Sequence, residues 1–454
     1  MKNRLFSTSV LLLLCTCLAS CTTEPDDGSA TNIKFFGWGT TEEQSNFQTM
    51  IDKFMELNTD VKVTYECASA AVYMTMLKNK ARNLPDVFYM PDYDFAAWAD
   101  AGKLLDISAS ITQEEKDRVW PVSIDMYRYD VNNHSLGTGE SIYGLPKDLG
   151  PYAIVYNKTL MQEIAEAKGF EVEYPDSNIP MTWAEFVSFL QRYSYTKESS
   201  KIYGIGYYEP MHAVWSNNAE FWSADTKTSR ITEANFAEAI QWIADLNLVH
   251  DVAPSSAEAK SANGYQRFIN SKCLMTFMGP WDQKALWSAT DFEFDIMPTP
   301  VGPAEGAKST SWIGSVALSL RKYKDSELAK QEAAIRLAKF LTLDPITSVM
   351  NYKLGQAMPN IMSIAQDEWY NNEGLEGREI LPESKNVFVD MTAGNEYVCA
   401  RNRAKYYLYL DSPYDDLISD IADNVNTGQK TATAFLSEYN QTFQKGLDEN
   451  QNQI

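Results

Sequence analysis

From Ile33 onward the chain alternates short β-branched and aromatic runs with amphipathic stretches, and this alternation limits the architectures open to it more than any single residue does. Residues 33–36 read as a strand. Thr40 or Thr41 then caps a helix whose Phe47, Met50, Ile51, Phe54 and Met55 recur at helical spacing. Val61, Val63 and Tyr65 alternate as a second strand, and a helix over residues 73–82 leads past Pro85 to the apolar run 87–90. The pattern returns downstream: Thr182-Trp183-Ala184-Glu185 is a capping box ahead of Phe186, Phe189, Leu190 and Tyr193, and Phe236, Ile240 and Ile243 mark another helix. Strand-like runs recur at 154–156, 273–278, 292–296 and 316–320. Strands separated by helices form α/β sheets covered on both faces. No repeat, low-complexity block or Pro/Gly-rich linker interrupts the 454 residues, so lobes joined by several short crossings are expected, rather than domains on one leash.

The first residues read as an address. Lys2 and Arg4 precede an apolar stretch anchored by residues 10–14, about ten residues long, where ~20 are needed to span a bilayer. Leu18-Ala19-Ser20-Cys21 closes it as a lipobox, so residues 1–20 are expected to be a lipoprotein signal peptide and the Cys21 thiol to carry lipid. That places the protein at the cell membrane, lipid-anchored, on the extracellular or periplasmic face. Residues 21–31 have the composition of a flexible tether reaching at most about 35 Å. With Cys15 and Cys17 in the signal, Cys67, Cys273 and Cys399 remain; their spacing gives neither a disulfide framework nor a zinc motif, and buried free thiols are expected.

The formal charge of −22 becomes −24 once Lys2 and Arg4 leave. Such a surface repels phosphate backbones and anionic headgroups, which excludes nucleic acid as a partner and favours uncharged or cationic ligands. The three histidines, His134, His212 and His250, form no metal motif, and no nucleophile elbow, phosphate loop or dinucleotide fingerprint follows a strand. No metal, cofactor or catalytic group is therefore expected. Carboxylates are too numerous, at 61, for any pair to mark a glycosidase by itself.

Aromatic residues cluster instead beside short polar groups in segments that read as loops after strands: Trp38 between Gly37 and Gly39, Tyr93 and Asp94 after Pro91, Trp281 after Gly279-Pro280, and Trp312 before Gly314. Ligands of open α/β sheets bind beyond the carboxyl ends of strands, where such loops point. An aromatic face stacks on the C–H face of a sugar, and carboxylates accept its hydroxyl hydrogens.

Leu84-Pro85-Asp86-Val87-Phe88, Gly102-Lys103-Leu104-Leu105, Tyr143-Gly144-Leu145-Pro146-Lys147, Tyr156-Asn157-Lys158, Pro180-Met181-Thr182-Trp183, Met278-Gly279-Pro280-Trp281 and Gly355-Gln356-Ala357-Met358-Pro359 follow in an order that resembles family 1 extracellular solute-binding proteins, over nearly the whole mature chain. The resemblance implies a two-lobed periplasmic-binding-protein-like fold of type II. Its crossings would lie near 146–152, 311–315 and 341–345, the first lobe taking 32–149 with 314–341 and the second 150–313 with 342–454. It implies a monomer that closes over a carbohydrate, most simply an oligosaccharide, and delivers it to the permease subunits of an ABC importer. Trp38, Tyr93, Asp94 and Lys147 are expected to face Glu209 and Trp281 across the cleft, with Trp312 and Tyr414 added; Trp281 matches the family's stacking tryptophan, and Glu209-Pro210 its sugar-contacting glutamate, with Met211 in place of an aromatic. Arg401 and Arg403 lie in a segment, 369–410, without counterpart in shorter relatives, and are expected to be solvated. The competing readings are an extracellular glycoside hydrolase lipoprotein, or the same fold binding a polyamine, amino sugar or peptide.

Overall fold

The computed structural model describes residues 30–197, 200–401 and 411–451; the signal, Cys21, most of the tether and Arg403 lie outside them. The alternation seen in the sequence becomes a β-α-β-α-β start: β1 (Thr31–Trp38), helix α1 (Thr41–Leu57), β2 (Val61–Ala68), helix α2 (Ala70–Asn79) and β3 (Val87–Pro91). Thr40 caps α1 through a capping box with Glu43, and Phe47, Met50, Ile51 and Phe54 bury its inner face. Helix α2 begins three residues earlier than its apolar spacing implies, because Ser69 in extended geometry lets Ala70 and Ala71 open the helix.

After a short hairpin of β4 (Tyr129–Asp130) and β5 (Ser135–Leu136) come β6 (Leu145–Pro146), β7 (Gly150–Pro151) and β8 (Ala153–Asn157), then β9 (Tyr195–Lys197), β10 (Ser200–Ile205), β11 (Cys273–Met278) and β12 (Phe294–Met297). The chain then runs through β13 (Ser309–Gly314) and β14 (Val316–Leu320), and much later adds β15 (Val398–Arg401). These strands form two five-stranded sheets, β2-β1-β3-β14-β6 and β12-β8-β11-β10-β9, and a three-stranded ribbon, β15-β13-β7. In the first sheet β1 is parallel to both neighbours and β14 antiparallel to β3 and β6. The second is covered on both faces: Ala153 and Val155 of β8 face one apolar core, Ile154 and Tyr156 the other. Among the described residues no helix is long and apolar enough to cross a membrane.

Among the described residues Cys273 is fully buried, while Cys67 and Cys399 are half-buried, each next to the terminal residue of its strand. Arg401 keeps 35 % of its side-chain surface exposed. Its place in β15 brings it beside Glu220, with which it forms an ion pair, and its guanidinium lies 5.9 Å from the Trp215 ring.

Candidate functional site

Two strands of the ribbon are themselves the links between the sheets. Residues 147–149 lead from β6 into β7, Tyr152 leads from β7 into β8, and Ser315 alone separates β13 from β14. β7 and β13 run antiparallel, with Ile313 opposite Pro151 and Gly314 opposite Gly150. Further bonds fix the pair: the Tyr152 amide donates to the Trp312 carbonyl at 3.0 Å, Lys147 to Val316 at 2.7 Å, and the Ser311 hydroxyl to the Tyr152 carbonyl at 2.6 Å. Asn360 from the later chain donates to the Pro146 carbonyl at 2.8 Å.

Tyr152 and Trp312 on these links join an aromatic cluster. The Tyr152 ring lies 5.2 Å from Trp312, 5.4 Å from Trp281 in a T-shaped arrangement and 5.9 Å from His212. Trp281 and Trp312 are 6.1 Å apart and, like Tyr152, keep part of their surface exposed. Trp281 sits in the turn after β11, as expected, but Trp312 lies within β13 rather than in a loop, because its backbone pairs with Arg401 of β15. Each indole folds back over a glycine two residues away. A Cβ built on Gly279 would come within 2.2 Å of Trp281, and one on Gly314 within 1.9 Å of Trp312. Gly279→Ala is therefore expected to swing the Trp281 indole out of the cluster, changing the near-ultraviolet circular dichroism while the far-ultraviolet spectrum stays the same. An unchanged near-ultraviolet spectrum would show that the turn yields instead.

Glu209 occupies the position just before the helix Pro210–Ser216, and its side chain makes no capping bond to it. It accepts hydrogen bonds from the hydroxyls of Tyr207 and Tyr414, both at 3.1 Å, so two expected site residues separated by 205 positions meet here. Tyr414 is buried, 5.1 Å from Phe221, and Met211 is buried in the second core. His212, one residue on, is 1 % exposed and 4.6 Å from Phe277, with no hydrogen-bond partner for either ring nitrogen among the described residues. Burial pushes its imidazole down to about 3.

Lys147 is buried and spent on carboxylates, 2.6 Å from Asp148 and 4.0 Å from Glu43, with its ammonium 5.3 Å from the rings of Phe47 and Tyr89. Burial drives its amine down, but Asp148 and Glu43 more than reverse this, and it ends above the usual lysine range. Asp282, beside Trp281, keeps some exposed surface, yet burial pushes its carboxyl up to about 7. The Gly279 amide, donating at 2.9 Å, opposes that rise and the charge of Glu43 adds to it. Trp38 ends β1 with its ring 4.7 Å from Tyr73 and 5.2 Å from Tyr89. Half-buried Tyr93, after β3, packs against the second core, and burial raises the neighbouring Asp94 carboxyl.

The structure thus joins Trp281 to Trp312 and Glu209 to Tyr414, while Lys147 and Trp38 pack with first-core aromatics. Tyr152, the hub of the cluster, is absent from the sequence expectation; its place just after Pro151 in a crossing segment is the signal that could have found it. Among the described residues no group of three or more His, Cys, Asp or Glu side chains is placed to hold a metal ion.

The arrangement brings together partly exposed aromatic rings, a hydrogen-bonded carboxylate and the links between two sheets. Residues 37–346 match the model of the bacterial extracellular solute-binding proteins. An ABC substrate-binding protein from Listeria monocytogenes, solved with cycloalternan, is similar at a TM-score of 0.72 and 18% identity, over 92% of this chain and 99% of that one. The cyclic alpha-maltosyl-1,6-maltose binding protein of Arthrobacter globiformis gives 0.69 and 18%, covering 92% and 100%. UgpB from Mycobacterium tuberculosis, in complex with glycerophosphocholine, gives 0.69 and 15%, covering 92% and 99%. No match is found among curated protein sequences. With the family model covering most of the chain and the two-lobed type II fold shared with these structures, the chain belongs to the bacterial extracellular solute-binding proteins.

Proposed function

We propose that this chain binds a carbohydrate, most simply an oligosaccharide, between its two lobes and hands it to the permease subunits of an ABC importer, without making or breaking bonds. The observation that carries this reading is the Tyr152, Trp281 and Trp312 cluster, whose two indoles keep part of their surface exposed beside the links between the sheets. Flat apolar faces suit sugar C–H surfaces, and the Glu209 carboxylate suits hydroxyl groups. The cycloalternan and maltosyl-maltose ligands of similar structures support the same class of solute. Ligand favours a closed form only so far as it touches both lobes. In this reading the lobes are residues 32–149 with 314–341, and 150–313 with 342–454. Trp38, Tyr93, Asp94 and Lys147 serve from the first side, Glu209, Trp281 and Tyr414 from the second, and Trp312 with Tyr152 from the links. The protein acts as a monomer held at the cell membrane by lipid on Cys21.

A thermal-shift screen over neutral oligosaccharides tests the solute class, since a cognate ligand at 100 times its dissociation constant adds ~2.7 kcal/mol of stability. A shift with a polyamine, a peptide or glycerophosphocholine and none with any glycan would replace carbohydrate by that solute. Trp281→Ala is expected to cost about 1–3 kcal/mol of binding free energy, the worth of one stacked planar group. Equal affinity by calorimetry would remove Trp281 from the site. Chromatography of glycans incubated with the protein is expected to return them intact; new reducing ends would make it a glycoside hydrolase.

A further inference from the structure

A cavity of about 900 Å³ is lined by residues 32–36 of β1, residues 79–86 leading from α2 to β3, and Arg321, Lys322 and Lys324 after β14. In a chain of net charge −22 its lining is basic: eight Lys and Arg side chains against three carboxylates, a local surplus of five positive charges. Those carboxylates are already engaged, Glu66 by Lys80 at 3.0 Å and both Asp86 and Glu327 by Arg321 at 2.9 and 2.8 Å. No ion pair among the described residues engages Lys34, Arg82, Lys103, Lys322, Lys324 or Lys330. The chain enters β1 at Thr31, one residue before Asn32 of the cavity lining. Nine residues, 22–30, separate that point from Cys21, a reach of about 30 Å.

We infer that this cavity is the protein's contact with the anionic phosphate headgroups of the membrane to which it is tethered. The inference rests on the reading of Cys21 as the lipid anchor. An acidic protein kept close to an anionic surface is repelled by it except where its own charge reverses, and the interaction decays over about 8 Å at physiological salt, so the basic end alone gains by approaching. Each lysine or arginine at such a surface strengthens partitioning about fivefold.

The test uses the full-length chain carrying Cys21→Ser, which cannot be acylated, floated with vesicles of phosphatidylcholine alone or mixed with phosphatidylglycerol. A second chain adds Lys34→Glu, Lys103→Glu, Lys322→Glu and Lys324→Glu. All four side chains are exposed, so a melting temperature close to the parent's is expected; Lys→Gln replacements serve if the reversals unfold it. Any contribution of residues 1–20 is common to both chains, so their difference reads the cavity. The parent is expected to float more with phosphatidylglycerol and to lose this at high salt, each reversal lowering partitioning about fivefold. Equal flotation of the two chains overturns the inference. So does inorganic phosphate that raises the parent's melting temperature while phosphatidylglycerol has no effect, which would mark a free-anion site. Mass spectrometry of acylated Cys21 from bacterial membranes tests the anchor separately: a missing acyl group sinks the anchor, while the flotation difference is still read on its own.

Discussion

Replacing Lys147 with Met is expected to lower the free energy of unfolding by about 3–5 kcal/mol, the cost of leaving a buried charge without its partner. Methionine keeps most of the apolar stem that lies against Phe47 and Tyr89, so the loss is electrostatic rather than a matter of volume. Without the ammonium, Asp148 stays buried with one weak contact, the Val316 amide at 3.4 Å. Glu43 loses its cation while still holding the Thr40 amide at 2.9 Å in the cap of α1. Lys147 therefore ties the start of α1 to the first link between the sheets. Its amine is raised in the folded state, so its contribution is fully present below the unfolded lysine value of about 10.4 and is lost as pH climbs through the higher folded value. Urea unfolding of Lys147→Met, Asp148→Asn and the double variant checks this: the double variant should recover more than half of the loss, because it removes both charges. A single variant within about 0.5 kcal/mol of the parent would mean that solvent reaches the pair.

The sequence carried the two large sheets because each strand there is flanked by a helix of opposite periodicity, as in β1, α1 and β2, and because caps such as Thr182 with Glu185 announce helix starts locally. The ribbon was not legible. Its β7 is two residues long, too short for any period to show, and β13 reads as a loop until β15, almost ninety residues later, supplies the partner that extends it. Tyr152 shares this fate, since its neighbours come from positions 212, 281 and 312. Glu209 and Tyr414 could each be singled out by motif, but only the packing of the helix Asp411–Asn424 brings their oxygens to 3.1 Å. The motifs therefore named many of the side chains, and long-range pairing decided which of them met.

Two groups flanking the aromatic cluster are expected to give this protein opposed pH dependences of stability. His212 is buried against Phe277 and Tyr152, and its folded value of about 3 lies below the ordinary histidine value of 6.5. Below 6.5 the unfolded chain takes up a proton that the folded chain refuses, so stability falls with acidity by up to about 1.4 kcal/mol per pH unit until the folded value is reached. Asp282 has the reverse sign. Its carboxyl, raised to about 7 from 3.8, stays protonated in the fold while the unfolded chain releases its proton, so stability falls as pH rises through that window, with a slope no steeper than the histidine's. Where the windows overlap, the two effects offset each other and the parent's profile is flattened. The variants separate them. His212→Phe, which suits an aromatic surround, should gain on the parent as the solution is acidified, by roughly 3 kcal/mol two units below pH 6.5. Asp282→Asn, able to keep the acceptor for the Gly279 amide, should gain on the parent as pH rises from about 4 to 7. Urea unfolding of the three chains across that range reads both slopes, and three parallel curves would mean that water reaches His212 and Asp282 alike. Opposite slopes would make the cluster dry on both flanks, and it is in a dry site that the stacking of Trp281 and Trp312 on a neutral solute competes least with hydration.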